Sequence, residues 1–134
     1  VKSRNSEKGA TAVEMAIVLP LLVLILMGIM EFGRVFYVQI SLSHAAREGA
    51  RYAAIHYDDA GYDAATFTLN ASPLLASLAG TETATVVDNG ASCAPGGMAT
   101  VTVTASLNSM TGFADFTPFF PLQLQGEGAM RCGG

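Results

Sequence analysis

The sequence predicts an α+β fold: one long N-terminal helix, partly transmembrane, with a C-terminal antiparallel β-sheet packed on its outer half. Three observations lead there. Positions 10–30, ATAVEMAIVLPLLVLILMGIM, form an apolar run with a single charge. From Glu31 to about Tyr57 nothing strongly breaks a helix, and after position 80 the pattern turns to period-two alternation. Composition agrees. The chain has 134 residues, 51% of them hydrophobic and 13% charged, with a mean hydropathy of +0.41. That is room for one modest domain plus an accessory element, and it is too apolar for an ordinary soluble domain.

As a helix, the 21 residues of the apolar run span about 31 Å, enough to cross a hydrocarbon core. The segment before it, VKSRNSEKG, carries Lys2, Arg4 and Lys8 against Glu7. A basic flank stays cytoplasmic, which puts the C-terminal bulk on the other side. Val1 fits either a GTG start codon read literally or truncation or processing upstream. A cleaved secretory signal is a competitor, but Glu31-Phe32-Gly33-Arg34 offers no small-x-small cleavage site. Pro20 should loosen one turn of the helix, as many membrane helices tolerate.

The sharper signal lies at the head of the run. Gly9 precedes it and Glu14 follows five residues later. A carboxylate at that depth is costly and commonly functional. The competing reading is a Glu that snorkels to the headgroups. Basic leader, Gly, and a hydrophobic helix with Glu at its fifth position resemble the signal of type IV prepilins. That resemblance implies cutting by a prepilin peptidase between Gly9 and Ala10 on the cytoplasmic side. The new α-ammonium on Ala10 would then lie one turn from the Glu14 carboxylate, which could neutralise it or a neighbour's. Glu14 also suits the positive end of the helix dipole.

Beyond the apolar run, Phe32, Val35, Phe36 and Ile40 recur at helical spacing, and Glu31 with Arg34 and Glu48 with Arg51 stand three apart. Ala45, Gly49 and Ala53 form one row of small residues; Ala46, Ala50 and Ala54 form another. Such rows admit close approach of another backbone. Either the protein's own sheet or a neighbouring subunit can fill that role. Positions 9–54 resemble the TadE-like proteins of the Tad (Flp) pilus system. The resemblance is carried by Gly9-Ala10-Thr11-Ala12-Val13-Glu14, Glu31-Phe32-Gly33-Arg34 and Ala45-Ala46-Arg47-Glu48-Gly49-Ala50-Arg51. It implies a minor pilin or pseudopilin with a pilin-like fold. Its expected partners are other pilin subunits, the prepilin peptidase, an assembly platform with its ATPase, a secretin, and the inner membrane. Flp major pilins are much shorter and have Tyr after the signal Glu. Here that position is Met15, which favours a minor component. The alternatives are a main repeating subunit and a stand-alone single-pass envelope protein with an exported binding domain.

The expected organisation is therefore a leader at 1–9, an assembly helix at 10–30, its extension at 31–57, and an exported domain at 58–134. Asp58, Asp59, Gly61 and Asp63 mark a turn. A short helix is expected at 73–78, with Ser72 as N-cap, Pro73 at its first position and Gly80 beyond it. Strands are expected at 83–87, 100–107 and 120–125, the last extended through 126–130 by a bulge, in a sheet of three or four strands. Leu122-x-Leu124 and Ala129-Met130-Arg131 weakly resemble the last strand of TadE-like proteins.

Cys93 and Cys132 are either buried thiols or, outside the cytoplasm, a disulfide. As a bridge they would close a loop of roughly 40 residues and contribute about 3–4.5 kcal/mol on the chain-entropy model. No catalytic residues, cofactor or metal are expected. His44 and His56 on one helix would lie about 18 Å apart, too far to share a metal. His56 with Asp59 and Asp63 reads as a solvated acidic turn rather than a cation site. No nucleophile-elbow, P-loop or zinc-helix motif occurs. With a net charge of -4 and seven Lys and Arg in no basic stripe, nucleic acid is not an expected partner.

Overall fold

A computed structural model describes residues 4–73, 84–89, 93–112 and 114–133. The elements in chain order are α1 (Arg4–His56), α2 (Ala64–Asn70), β1 (Ala84–Asp88), β2 (Met98–Leu107), a 3-10 turn at Ala114–Phe116, and β3 (Leu122–Arg131). The chain divides into two units, Val1–Arg34 and Val35–Gly134.

The first unit is helix. α1 begins at Arg4, upstream of the expected start at 10, because nothing between Arg4 and Gly9 terminates a helix except the modest cost of one glycine, about 1 kcal/mol. Pro20 lies inside α1, which continues through it. The side chains from Ala10 to Leu26 are all exposed.

The second unit is an α+β domain in which α1 packs on a three-stranded antiparallel sheet of order β1-β2-β3. Its helical stripe is Val38, Leu42, Ala45, Ala46, Ala50, Ala53 and Ala54, all buried, at steps of three and four with paired small residues. β2 supplies the opposite wall. Ala99, Val101, Val103, Ala105 and Leu107 are buried, while the intervening Thr and Ser are partly exposed. Fully burying side chains such as Leu42, Leu107, Val101 and Val103 contributes about 1.5–3 kcal/mol each.

β3 meets α1 through glycine. Gly126 and Gly128 are its two buried positions, and they pair across the ladder with Val103 and Val101. A Cβ built on Gly126 would stand 2.5 Å from the Leu42 carbonyl carbon and 2.8 Å from the Ser43 nitrogen. One on Gly128 would run into the Ala46 carbonyl. Helix and strand backbones are therefore in direct contact, and Gln39 Nε2 donates to the Gln125 carbonyl at 2.8 Å along the same seam. The bulge expected at 126–130 is absent: the β2–β3 register is unbroken from Leu107 opposite Leu122 to Met98 opposite Arg131. These glycines serve close approach rather than an extra residue.

The far end of the unit is tied shut. Cys93 is bonded to Cys132, with Cα atoms 6.1 Å apart. Cys132 N–H donates to the Gly97 carbonyl at 3.0 Å, and Gly96 N–H donates to the Cys132 carbonyl at 3.2 Å. Gly133, at φ +72°, turns the chain so that its N–H reaches the Ala54 carbonyl at 3.1 Å, satisfying an otherwise orphaned acceptor in the last turn of α1.

The strands fall where the alternation placed them, with bounds shifted by one to a few residues. The sheet has three strands among the described residues. The helix expected at 73–78 lies, beyond Pro73, outside the described residues. α2 was not expected. Asp63, read as part of a turn, is its N-cap: Oδ1 accepts from Thr66 N–H at 2.9 Å. Hydrogen bonds from the Thr66 side chain and backbone hold the Asp63 carboxyl below its ordinary value of 3.8. Its stabilising contribution is thus present above that value and fades as pH falls through the lowered one.

Two outcomes are expected from unfolding of the full chain in detergent micelles, followed by circular dichroism. Gly126→Ala should lose about 1–3 kcal/mol by overpacking against backbone that cannot yield, whereas Gly61→Ala, whose Cβ meets nothing within 4 Å, should be close to neutral. Replacing both cysteines by serine, which reopens a bridge of sequence separation 39, should cost about 4 kcal/mol.

Candidate functional site

Two surfaces of α1 carry the residues singled out in the sequence, one in each unit. In the first unit, Gly9, Ala10 and Glu14 lie on exposed helix, and a Cβ on Gly9 would meet nothing within 4 Å. Glu14 is one helical turn beyond Ala10. Around it Val13, Met15, Ile17, Val18 and Leu21 are all more than half exposed. The stretch that contains them is long and apolar enough to cross a membrane, and none of its most apolar window is buried by the protein itself. What this surface offers chemically is one carboxylate on an apolar cylinder, without a cavity or a preformed partner set among the described residues.

In the second unit the two small-residue rows divide their work. Leu42 and Ala46 face the glycines of β3, whereas Gly49 faces α2: a Cβ there would collide with the Thr68 side chain. Ala45 and Ala53 flank it and are fully buried. The row Ala45, Gly49, Ala53 thus packs within the protein's own domain, with a second helix rather than the sheet meeting Gly49. Thr68 is itself buried, and its hydroxyl donates to the Ala64 carbonyl at 2.6 Å. Tyr52 extends the helix–helix contact by stacking on Phe67 with ring centroids 4.4 Å apart, and on His56 at 4.3 Å.

Two ionisable groups near the turn have structural partners. His56 Nδ1 lies 3.0 Å from the Tyr52 carbonyl, and Asp63 caps α2. His44 is exposed. Among the described residues no group of three His, Cys, Asp or Glu side chains is placed to hold a metal ion.

Comparison with known proteins bears on the N-terminal surface. Residues 9–51 match the sequence model of the family described as TadE-like protein. The segment is similar to TadE-like proteins over about a third of the chain. The match starts at Gly9, takes in Glu14 and both small-residue rows as far as Arg51, and ends before α2 and the sheet. Proteins of that family are associated with the Tad pilus. No curated protein and no solved structure shows significant similarity to the chain.

Two signals for this packing were present and unread. Asp63 three residues before Thr66 is an N-cap pattern, and alternate glycines at 126 and 128 in a strand mark close backbone approach. The Gly49 contact is open to a paired substitution. Gly49→Ala should destabilise the domain by about 1–3 kcal/mol. Adding Thr68→Ala should recover part of that loss in a double-mutant cycle, because the colliding atoms belong to the Thr68 side chain.

Proposed function

We propose that this TadE-like chain is a minor pilin or pseudopilin of a Tad/Flp-type pilus. On this reading a prepilin peptidase processes it between Gly9 and Ala10, and its N-terminal helix carries it into the assembly. The observation that carries the reading is the pairing of Gly9 with Glu14 at the head of a fully exposed apolar helix, inside the segment matched to the family.

The mechanism is mechanical. Before assembly, residues 10–30 cross the inner membrane once, with the basic leader in the cytoplasm and the C-terminal domain outside it. Cleavage leaves the helix attached and creates an α-ammonium on Ala10. Glu14, one turn along, neutralises that charge or the equivalent one of a neighbouring subunit as the helices bundle, and so sets their axial register. In a medium without water each charge is strongly disfavoured alone, so the pair specifies a position along the bundle. The Cys93–Cys132 bridge is in keeping with a domain folded outside the reducing cytoplasm. Other pilin subunits, the peptidase, and a membrane platform with its ATPase are the partners this reading requires.

The mature N-terminus, read by mass spectrometry after co-expression with a prepilin peptidase, tests the first step. Wild type should begin at Ala10, and Gly9→Val should retain its leader. For the second step, Glu14→Ala should insert into the membrane and be cleaved as wild type, yet be missing from purified pili. Normal incorporation of that variant would remove the role assigned to the carboxylate.

A further inference from the structure

The connection between β2 and β3 is unusual in what it exposes. From Asn108 to Pro121 it carries one charge, Asp115, and its side chains include Met110 at 54% exposure, Phe116 at 91% and Phe119 at 73%. Exposed apolar side chains scattered singly need no explanation, but large ones grouped on one short segment mark a contact surface.

The register within the second unit says where this segment lies. β3 runs alongside α1 in the same direction, with Gly126 against Leu42, Gly128 against Ala46, and Gly133 N–H bonded to the Ala54 carbonyl. Leu122 is four residues before Gly126, about 13 Å back along the strand. That corresponds to about nine helical residues, more than separate Leu42 from Val35, so the start of β3 lies at the end of the unit where α1 enters it. The β2–β3 connection therefore sits at the end of the domain where α1 enters it, opposite the disulfide. The exposed aromatic side chains Phe36 and Tyr37 of α1 belong to the same end.

Val35 is five residues beyond Met30, the last residue of the apolar run. Even a fully extended tether of that length reaches at most about 18 Å. The tether therefore keeps this end of the domain close enough to reach the headgroup region, about 5–8 Å deep on each side of the hydrocarbon core, where aromatic side chains partition favourably. We infer that the β2–β3 connection is a second, interfacial contact with the lipid bilayer, made by Phe116 and Phe119 while the subunit resides in the membrane. The inference rests on the reading of residues 10–30 as a membrane span. Asp115, exposed between the two halves of the segment, belongs among headgroups and keeps the contact shallow. The attraction is apolar, so it does not require anionic lipid.

The chain contains no Trp, so each introduced indole is a unique reporter. Full-length Phe116→Trp, Phe119→Trp, Ile55→Trp and Leu26→Trp are reconstituted in phosphatidylcholine vesicles with and without lipid carrying a nitroxide just below the headgroup. Ile55, 61% exposed, reports on the far end of the domain, and Leu26 on the apolar run. At positions 116 and 119 the emission should be blue-shifted relative to position 55 and should lose about half its intensity to the nitroxide lipid, as expected for interfacial aromatics. Position 55 should be unaffected. If 116 and 119 behave like 55 while 26 is quenched, the interfacial contact is wrong and the anchor stands. If 26 is not quenched either, the anchor itself fails and the inference goes with it. A blue shift that grows with protein density and is insensitive to nitroxide lipid would assign the segment to a second copy of the chain, and would equally overturn the proposal.

Discussion

The second unit depends on how closely a helix and a strand can approach when neither presents a side chain to the other. α1 offers Ala46 and the backbone at Leu42; β3 offers Gly126 and Gly128. At that distance the contact gains little from side-chain burial, since there are few side-chain atoms in it. It is supported from the flanks, where Val101 and Val103 of β2 stand opposite the glycines and fill the space beside the helix. Valines on the central strand and glycines on the edge strand combine in a single core. The other half of the helix stripe is completed by α2, through Gly49 and Thr68.

This arrangement explains why one helix serves two environments. In the first unit α1 carries large aliphatic side chains on every face, as a span needs in lipid. Beyond Leu42 in the second unit the same helix is reduced to alanine and glycine on its inner face, while Arg47, Glu48 and Arg51 stay exposed. The domain covers the helix from Val38 onward, and the change to small residues follows Leu42. The TadE-like match spans both regimes and ends before α2 and the sheet.

The helix was legible in the sequence because its evidence is local: a run without breakers, followed by small residues at steps of three and four. β2 was legible for a similar reason, since its Val and Thr alternate without interruption. β3 was found but misdescribed. The reason for Gly126 and Gly128 lies on α1, some eighty residues earlier, and nothing adjacent to them distinguishes close packing from a bulge. α2 escaped because Ala64–Asn70 is short and rich in Thr and Phe, so its stability comes from Tyr52 and Gly49 rather than from propensity. The candidate site reverses this order. Gly9 and Glu14 are conspicuous as a spacing in the sequence, yet in the folded chain they are a glycine and a carboxylate on bare helix; on the proposed reading the surfaces they meet belong to other molecules.

The glycine seam also bears on how the domain responds to traction along its helix. Sliding β3 by two residues would bring Leu124 or Met130 to the places now held by Gly126 and Gly128, where even a single carbon is too large. Intermediate shifts break the alternation of faces. The seam therefore has one seating and no neighbouring notch, and the Gly133–Ala54 hydrogen bond and the disulfide latch it at its outer end. Load introduced through α1 is met by interlocked backbone in shear, so the domain should be stiff along the helix axis and yield abruptly rather than creep.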